Sequence, residues 1–309
     1  MGFKATLHDR LMERRQSPPA RIALELLSSA VASARARQLC RMRLDGPRWI
    51  HSYRDGAMVT PTGQPDLPPP AEISARMRDE FCHFYVPRPG DVVIDVGAGI
   101  GEALLLFSSL VGPGGKVIAI EAHPLIYGCL ERAVEVNRLT NVELVHAAVT
   151  GEPGPVTITD EIDFGRQPAA VDSTAEAEAP GPGWYGNTIV GSSRDGTIEV
   201  EGRTLDQIVS DAAVDEIGLL KMNIEGAEGP ALPGMGKAIA GCRAAAISCH
   251  DFRVDETGDE AFRTKGAVRS FLERNGFLVK SRDHDPNPST RDVVYGVREG
   301  VTAGAASPP

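Results

Sequence analysis

The chain has 309 residues, 42% hydrophobic and 24% charged, with a formal net charge of -10. That length allows one well-buried core domain plus an appendage, and the acidic balance argues against nucleic acid as the main partner. No apolar run approaches the roughly 18–20 residues of a membrane span, and five cysteines without a Cys-x-x-Cys pair fit reduced thiols in a cytoplasmic protein rather than a disulfide frame or zinc knuckle.

The charge is unevenly placed. Residues 1–48 hold ten basic groups and four acidic ones, so this segment is +6 and the remainder is -16. Such an arm suits a contact with the acidic body, or with a phosphate-bearing or anionic partner surface. Residues 20–44 are rich in Ala, Leu and Arg and predict a helix, which could also pair with a second copy of the chain. The proline-dense stretch TPTGQPDLPPPAE (60–72) can continue neither a helix nor a central strand. It divides an N-terminal helical extension and linker, 1–70, from a main domain, 71–300. Residues 301–309 read as a disordered tail.

Beyond the linker a helix is expected over 72–85, ending before Pro87. Strands and helices then alternate: GDVVIDVGA (90–98) as a buried strand, GEALLLFSSLVG as a helix, KVIAIEA (116–122) as a strand, 124–139 as a helix and NVELVHAAV (141–149) as a third strand. This alternation implies a parallel sheet with helices on both faces, an α/β fold. The pattern breaks over 151–200, an irregular insertion whose segment AAVDSTAEAEAPGPG reads as a mobile loop. A helix at TLDQIVSDA, strands at 216–226 and 242–252, and a helix at 264–276 follow. FLVKSR and RDVVYGVRE close the chain as an antiparallel pair, because the connection between them is too short for a helical crossover.

Residues 92–102, VVIDVGAGIGE, end the first core strand and open the next helix. Open α/β sheets bind ligands there, and glycines let the backbone approach a ligand without a Cβ clash. A nucleoside triphosphate site would need Gly-Lys-Ser/Thr, but Glu102 follows Gly101. Dinucleotide spacing also fails, because Glu102 stands where the third glycine would be. Glu121, at the end of the second strand, can accept hydrogen bonds from both hydroxyls of a ribose.

Asp95, the turn through Gly97, Gly99 and Gly101, Glu121 and the closing antiparallel pair together resemble a Rossmann-like class I S-adenosylmethionine-dependent methyltransferase. The successive segments VPRPGDVVIDVGAGIG, AIEAHP, RTLDQIV and LLKMNIEGAE narrow the resemblance to the FkbM-type methyltransferase family. The family implies O-methylation of a natural product or sugar, with S-adenosyl-L-methionine as cofactor and a small hydroxylated acceptor as partner. It usually carries aspartate where this sequence has Asn223, and it does not account for the first 70 residues.

The resemblance also implies roles. The glycine loop lies against the methionine and ribose of the cofactor, and Asp95 orients the loop or meets the cofactor's amino group through water. Glu121 takes the ribose hydroxyls, Ala122 and His123 border the adenine, and Ala147 and Ala148 form its other wall. Asn223 and Glu225 end the fourth strand beside the methyl, with Lys221 and Glu228 as partners if this is simply a polar strand cap. His250, in SCHDF at the end of the fifth strand, is the expected general base, because an imidazole titrates near neutral pH. Asp251 would orient it, or join Glu225 in holding Mg²⁺; the metal is left open. Trp184 and Tyr185, in GPGWYGNT, could stack on a sugar or macrocycle, with Trp49, His51 and Tyr53 contributing from the N-terminal side. An NAD(P)-dependent oxidoreductase and a non-catalytic cofactor-binding scaffold are the competing readings.

Overall fold

The structure, a computed structural model, describes residues 16–61, 67–160 and 196–301. The expected mobile loop, Trp184 and Tyr185, the start of the N-terminal arm and the tail lie outside these residues.

The N-terminal unit differs from the helix expected over 20–44. Helix α1 (Pro18–Ala36) starts on a proline pair and stops where Arg37 turns left-handed at φ 51°. Three antiparallel strands follow: β1 (Arg41–Asp45), β2 (Arg48–Tyr53) and β3 (Gly56–Thr60). The reason lies in RMRLD, where Met42 and Leu44 are buried and Arg41 and Arg43 exposed. Residues two apart share a face on a strand but point oppositely on a helix. The extension is therefore a helix packed on a small sheet. Leu24, Ala32, Met42, Leu44, Trp49 and Tyr53 form the core between them.

Past the linker come α2 (Pro70–Phe81), β4 (Val92–Val96), α3 (Leu104–Val111), β5 (Lys116–Glu121), α4 (Pro124–Asn137) and β6 (Val142–His146). The expected third strand, 141–149, is split. At Ala147 the chain leaves the main sheet, and β7 (Ala148–Val149) pairs instead with β9 (Thr197–Arg203), whose other neighbour is β8 (Gly154–Thr159). A continuous apolar run shows where a strand is buried but not which sheet it joins.

The second half runs α5 (Leu205–Asp211), β10 (Ile217–Met222), the short helices α6 (Glu228–Ala231) and α7 (Gly236–Ala240), β11 (Cys242–Ser248), α8 (Phe252–Thr257), α9 (Lys265–Arg274), β12 (Phe277–Lys280), the single turn α10 (Pro288–Arg291) and β13 (Val293–Arg298). The main sheet has the order β12-β13-β11-β10-β4-β5-β6, and β13 alone is antiparallel to its neighbours. This is the Rossmann-like sheet with a terminal antiparallel pair that the sequence predicts.

Alternate residues of each central strand supply two cores. Val93, Val117, Leu219 and Ala244 face α2, α3 and α4. Ile94, Ile118, Leu220 and Ala245 face α5, α7 and α9. With both faces covered, the central strands read as unbroken apolar runs. All five cysteines are buried and free.

Candidate active site

The glycine turn is held from three sides. Its three glycines lie at φ 71°, 57° and 93°, where a side chain would be strained. The Gly97 and Ala98 amides donate to the carbonyl of Ile120, each at 3.0 Å, which ties the turn to β5. A Cβ on Gly97 would overlap the carbonyl oxygen of Asn223, whereas one on Gly99 would meet open space. The first glycine thus allows the turn to pack on the end of β10, and the second leaves room above it.

Asp95 lies beneath the turn, fully buried, with Lys221 Nζ 2.7 Å from its Oδ1. Lys221 also donates to the Gly97 carbonyl at 2.7 Å, so one ammonium neutralises Asp95 and fastens the turn. Asp95 Oδ2 and Asn223 Oδ1 are buried without a hydrogen-bond partner. Glu121 Oε2 accepts from the Gly99 amide at 3.0 Å, and Oε1 from the His123 amide at 2.8 Å. Burial pushes its carboxyl above the ordinary range despite these bonds. Each oxygen keeps a lone pair for another donor. Two orphaned buried acceptors, the open space over Gly99 and a carboxylate with spare capacity fit a ligand bearing hydroxyl and ammonium groups, as S-adenosylmethionine does.

The second cluster stands at the ends of β10 and β11. Both strands stop earlier than the sequence suggests, so Asn223, Glu225, His250 and Asp251 lie in the loops that follow them, and positions 221, 223 and 225 do not share a strand face. The Asn223 amide still donates to the Val96 carbonyl at 3.0 Å, which holds this turn against the glycine loop. Glu225 is left-handed at φ 57°, a strained geometry of the kind found at functional sites.

Glu228, with no exposed surface, organises the cluster. Its Oε1 accepts from the amides of Ile224 and Gly226, each at 3.2 Å, and faces His250 Nδ1 at 3.0 Å. Its Oε2 accepts from the Thr264 hydroxyl at 3.2 Å. Burial opposes its charge, but His250 and the turn amides outweigh that and hold its carboxyl below the ordinary range. The other His250 nitrogen, Nε2, lies 3.4 Å from Glu225 Oε1, while Arg253 stands 3.4 Å from Glu225 Oε2. Burial would lower the histidine's pKa, but the Glu225 and Glu228 carboxylates prevail and push it up to about 10. His250 is therefore an imidazolium at neutral pH, not the near-neutral base expected.

Several other expectations need correction. Asp251 does not orient His250. Its Oδ1 accepts from the amides of Thr264 and Lys265, at 2.8 and 2.9 Å, and caps α9. Glu228 holds the imidazole instead. The Glu225–Asp251 metal pair finds no support either, since among the described residues no three His, Cys, Asp or Glu side chains are placed so that they could hold a metal ion. The His123 ring is buried, accepting from the Leu125 amide at the start of α4 and lying 3.2 Å from Asp160, so it is a helix cap rather than an open rim. Ala147 stays beside Glu121 through its amide, while Ala148 belongs to the small sheet. Ala122 is half-buried at the rim. Trp49 and Tyr53 are buried in the core beneath α1, and the His51 ring is buried 2.9 Å from the Thr60 hydroxyl, so none of the three is open to an acceptor.

Lys221 and Glu228 were visible in the sequence only as partners of a polar strand end. Arg253 and Thr264 carry no local signal, because the fold alone brings them to the cluster.

A sequence model described as the methyltransferase FkbM domain matches residues 95–279. The 31-O-demethyl-FK506 methyltransferase FkbM of Streptomyces tacrolimicus is 30% identical over 216 residues, 66% of this chain and 78% of that protein. The chain belongs to the FkbM methyltransferase family. It is an S-adenosylmethionine-dependent methyltransferase, which removes the oxidoreductase alternative.

A 38-residue stretch, 12% of this FkbM-family chain, is 53% identical to the protein-L-isoaspartate O-methyltransferase of Aeropyrum pernix and covers 15% of it. Among solved structures, the FkbM methyltransferase of Methylobacillus flagellatus KT matches at 18% identity and a TM-score of 0.42. That match covers 69% of this FkbM-family chain and about half, 48%, of the other.

Proposed function

We propose that the protein methylates a hydroxyl of a small molecule of the sugar or polyketide class. The observation that carries this reading is the Glu225–His250–Glu228 cluster, two carboxylates around one imidazolium. It sits where the β10 turn packs on the glycine loop. The relative named for 31-O-demethyl-FK506 supports an oxygen acceptor.

When bound, the cofactor supplies a methyl group on a positively charged sulfur. Asp95, Glu121, Asn223 and the glycine turn are the residues that would hold it. The protein must also bind the acceptor's hydroxyl and dispose of its proton. Glu225 faces the His250 ring on one oxygen and Arg253 on the other, and as a carboxylate it can take up one proton. Glu225 is its most exposed member, with 22% of its side chain open, and is the group that meets the hydroxyl. His250 stabilises the Glu225 carboxylate before transfer, and Glu228 is a positioning residue that fixes the imidazole.

Calorimetry with S-adenosylhomocysteine tests the cofactor half of the proposal. Micromolar binding that weakens at least tenfold in Glu121→Ala is the expected result, and binding of NAD⁺ instead would overturn it. Turnover of methyl-labelled cofactor on a panel of hydroxylated sugars and macrolides tests the other half. Glu225→Gln should keep its affinity for S-adenosylhomocysteine while transfer falls about a hundredfold. Labelling of nitrogen or carbon alone, or cofactor binding with no turnover on any acceptor, would count against the hydroxyl assignment.

A further inference from the structure

A groove of about 390 Å³ lies between the β1–β3 sheet and the second half of α4. It is not the methyl-transfer site. Helix α4 starts next to Glu121 and runs 14 residues away from it, about 20 Å at 1.5 Å per residue. Arg41, Arg43, Arg132 and Arg138 line the groove, together with the Ser52 and Glu135 side chains.

The four arginines are not equivalent. Arg132 is satisfied, 2.7 Å from Asp45 and 2.6 Å from Glu135. Arg41 and Arg43 project from the face of β1 opposite Met42 and Leu44, and Arg138 ends α4 in a left-handed turn at φ 55°. Among the described residues, the guanidinium groups of Arg41, Arg43 and Arg138 have no ion-pair or hydrogen-bond partner. Four guanidinium charges therefore face two carboxylates and the roughly half negative charge of a helix C-terminus. The excess is about 1.5 positive charges, on a chain whose net charge is -10.

An excess of one sign in a concavity, against the sign of the whole molecule, marks a place for a ligand of opposite charge. Guanidinium forks match the oxygens of a phosphate in geometry as well as charge. The volume suits a compact ligand rather than a polymer or a membrane surface. We propose that this groove is a second binding site, for a small molecule carrying one or two phosphate groups. Arg41, Arg43 and Arg138 hold the phosphate oxygens, with Ser52 as a further donor. The site is separate from methyl transfer and independent of which acceptor the enzyme uses.

Titration of the full-length protein with inorganic pyrophosphate at 50 mM salt tests the proposal. Binding at one site with a submillimolar Kd is expected, weakening severalfold at 300 mM salt. The double variant Arg43→Ala/Arg138→Ala should lose at least tenfold in affinity, while Arg43→Lys/Arg138→Lys keeps part of it. In both variants, affinity for S-adenosylhomocysteine should match the parent, which shows that the chain still folds. No binding, binding that persists in the alanine variant, or competition with S-adenosylhomocysteine would overturn the assignment. So would a preference for vesicles of phosphatidic acid over pyrophosphate.

Discussion

His250 shows how a side chain's surroundings can reverse the role its type suggests. It is 4% exposed, and burial alone would strip its proton. Two carboxylates outweigh that and raise its pKa to about 10. Because the folded value lies above the unfolded one, about 6.5, the histidine's contribution to stability is complete below pH 6.5 and is lost as pH rises through 10. At its steepest the loss is about 1.4 kcal/mol per pH unit. Urea unfolding of the parent and of His250→Gln at pH 6.5, 8 and 9.5 should show the difference between them shrinking with pH. A difference independent of pH would mean that the imidazole is neutral. Asp251 makes the opposite case, a residue beside the site whose hydrogen bonds are to the start of α9. Asp251→Ala should cost about 1 kcal/mol as a lost helix cap, with methyl transfer per folded molecule within about twofold of the parent. A hundredfold loss of transfer with cofactor affinity intact would restore its catalytic role. The placement of Asp95, the glycines and Glu121 around one turn was legible in the sequence because strand, turn and next strand are local and fix their own register. The pairing of His250 with Glu228, 22 residues apart, was not, because it depends on how two turns meet.

Elements were legible where the residue pattern has one period and one partner. The central strands and their helices fall within a few residues of expectation, since buried runs of β-branched residues bounded by glycine have few other uses. The failures lie where the competing signal is short. Arg37 ends α1 without a glycine, and the two arginines of RMRLD hid a strand inside a helix-like composition. The β3 edge shows how the fold compensates for that small sheet. The Asn137 side chain, on α4, accepts from the Ala57 amide and donates to the Ala57 carbonyl, both at 2.8 Å, replacing a neighbouring strand. Asn137→Ala would leave both backbone groups unpaired in a part-buried seam and should cost about 2 kcal/mol. Hydrogen exchange should show faster opening of β2 and β3, with β4 and β5 unaffected. Unchanged protection at Ala57 would mean that water replaces the amide.

On the scale of the whole molecule, the composition shift at the proline-dense linker suggests an appendage that could be removed, but the packing opposes this. Ile50, Ala57, Met58 and Val59 belong to the same core as Phe107, Leu130 and Ala133, on the face of the main sheet covered by α3 and α4. Arg132 reaches Asp45 across the seam, and the Arg48 guanidinium lies against Gly128 of α4, where an added Cβ would come within 2.6 Å of it and push it aside. Burial of large apolar side chains contributes about 1.5–3 kcal/mol each, so exposing Ile50, Met58 and Val59 together with the helix faces they cover would cost as much as the 5–15 kcal/mol that holds a typical domain. A chain starting at Pro70 keeps the glycine turn, Glu121 and the Glu225–His250–Glu228 cluster. It should nevertheless fail to unfold cooperatively and should bind S-adenosylhomocysteine at least tenfold more weakly than the full chain. Calorimetric melting of the truncated and full-length proteins distinguishes the cases. A single sharp transition within a few degrees of the parent, with cofactor affinity retained, would show that the first 69 residues are an independent unit. A broad transition or none would show that the small sheet is a wall of the catalytic domain itself.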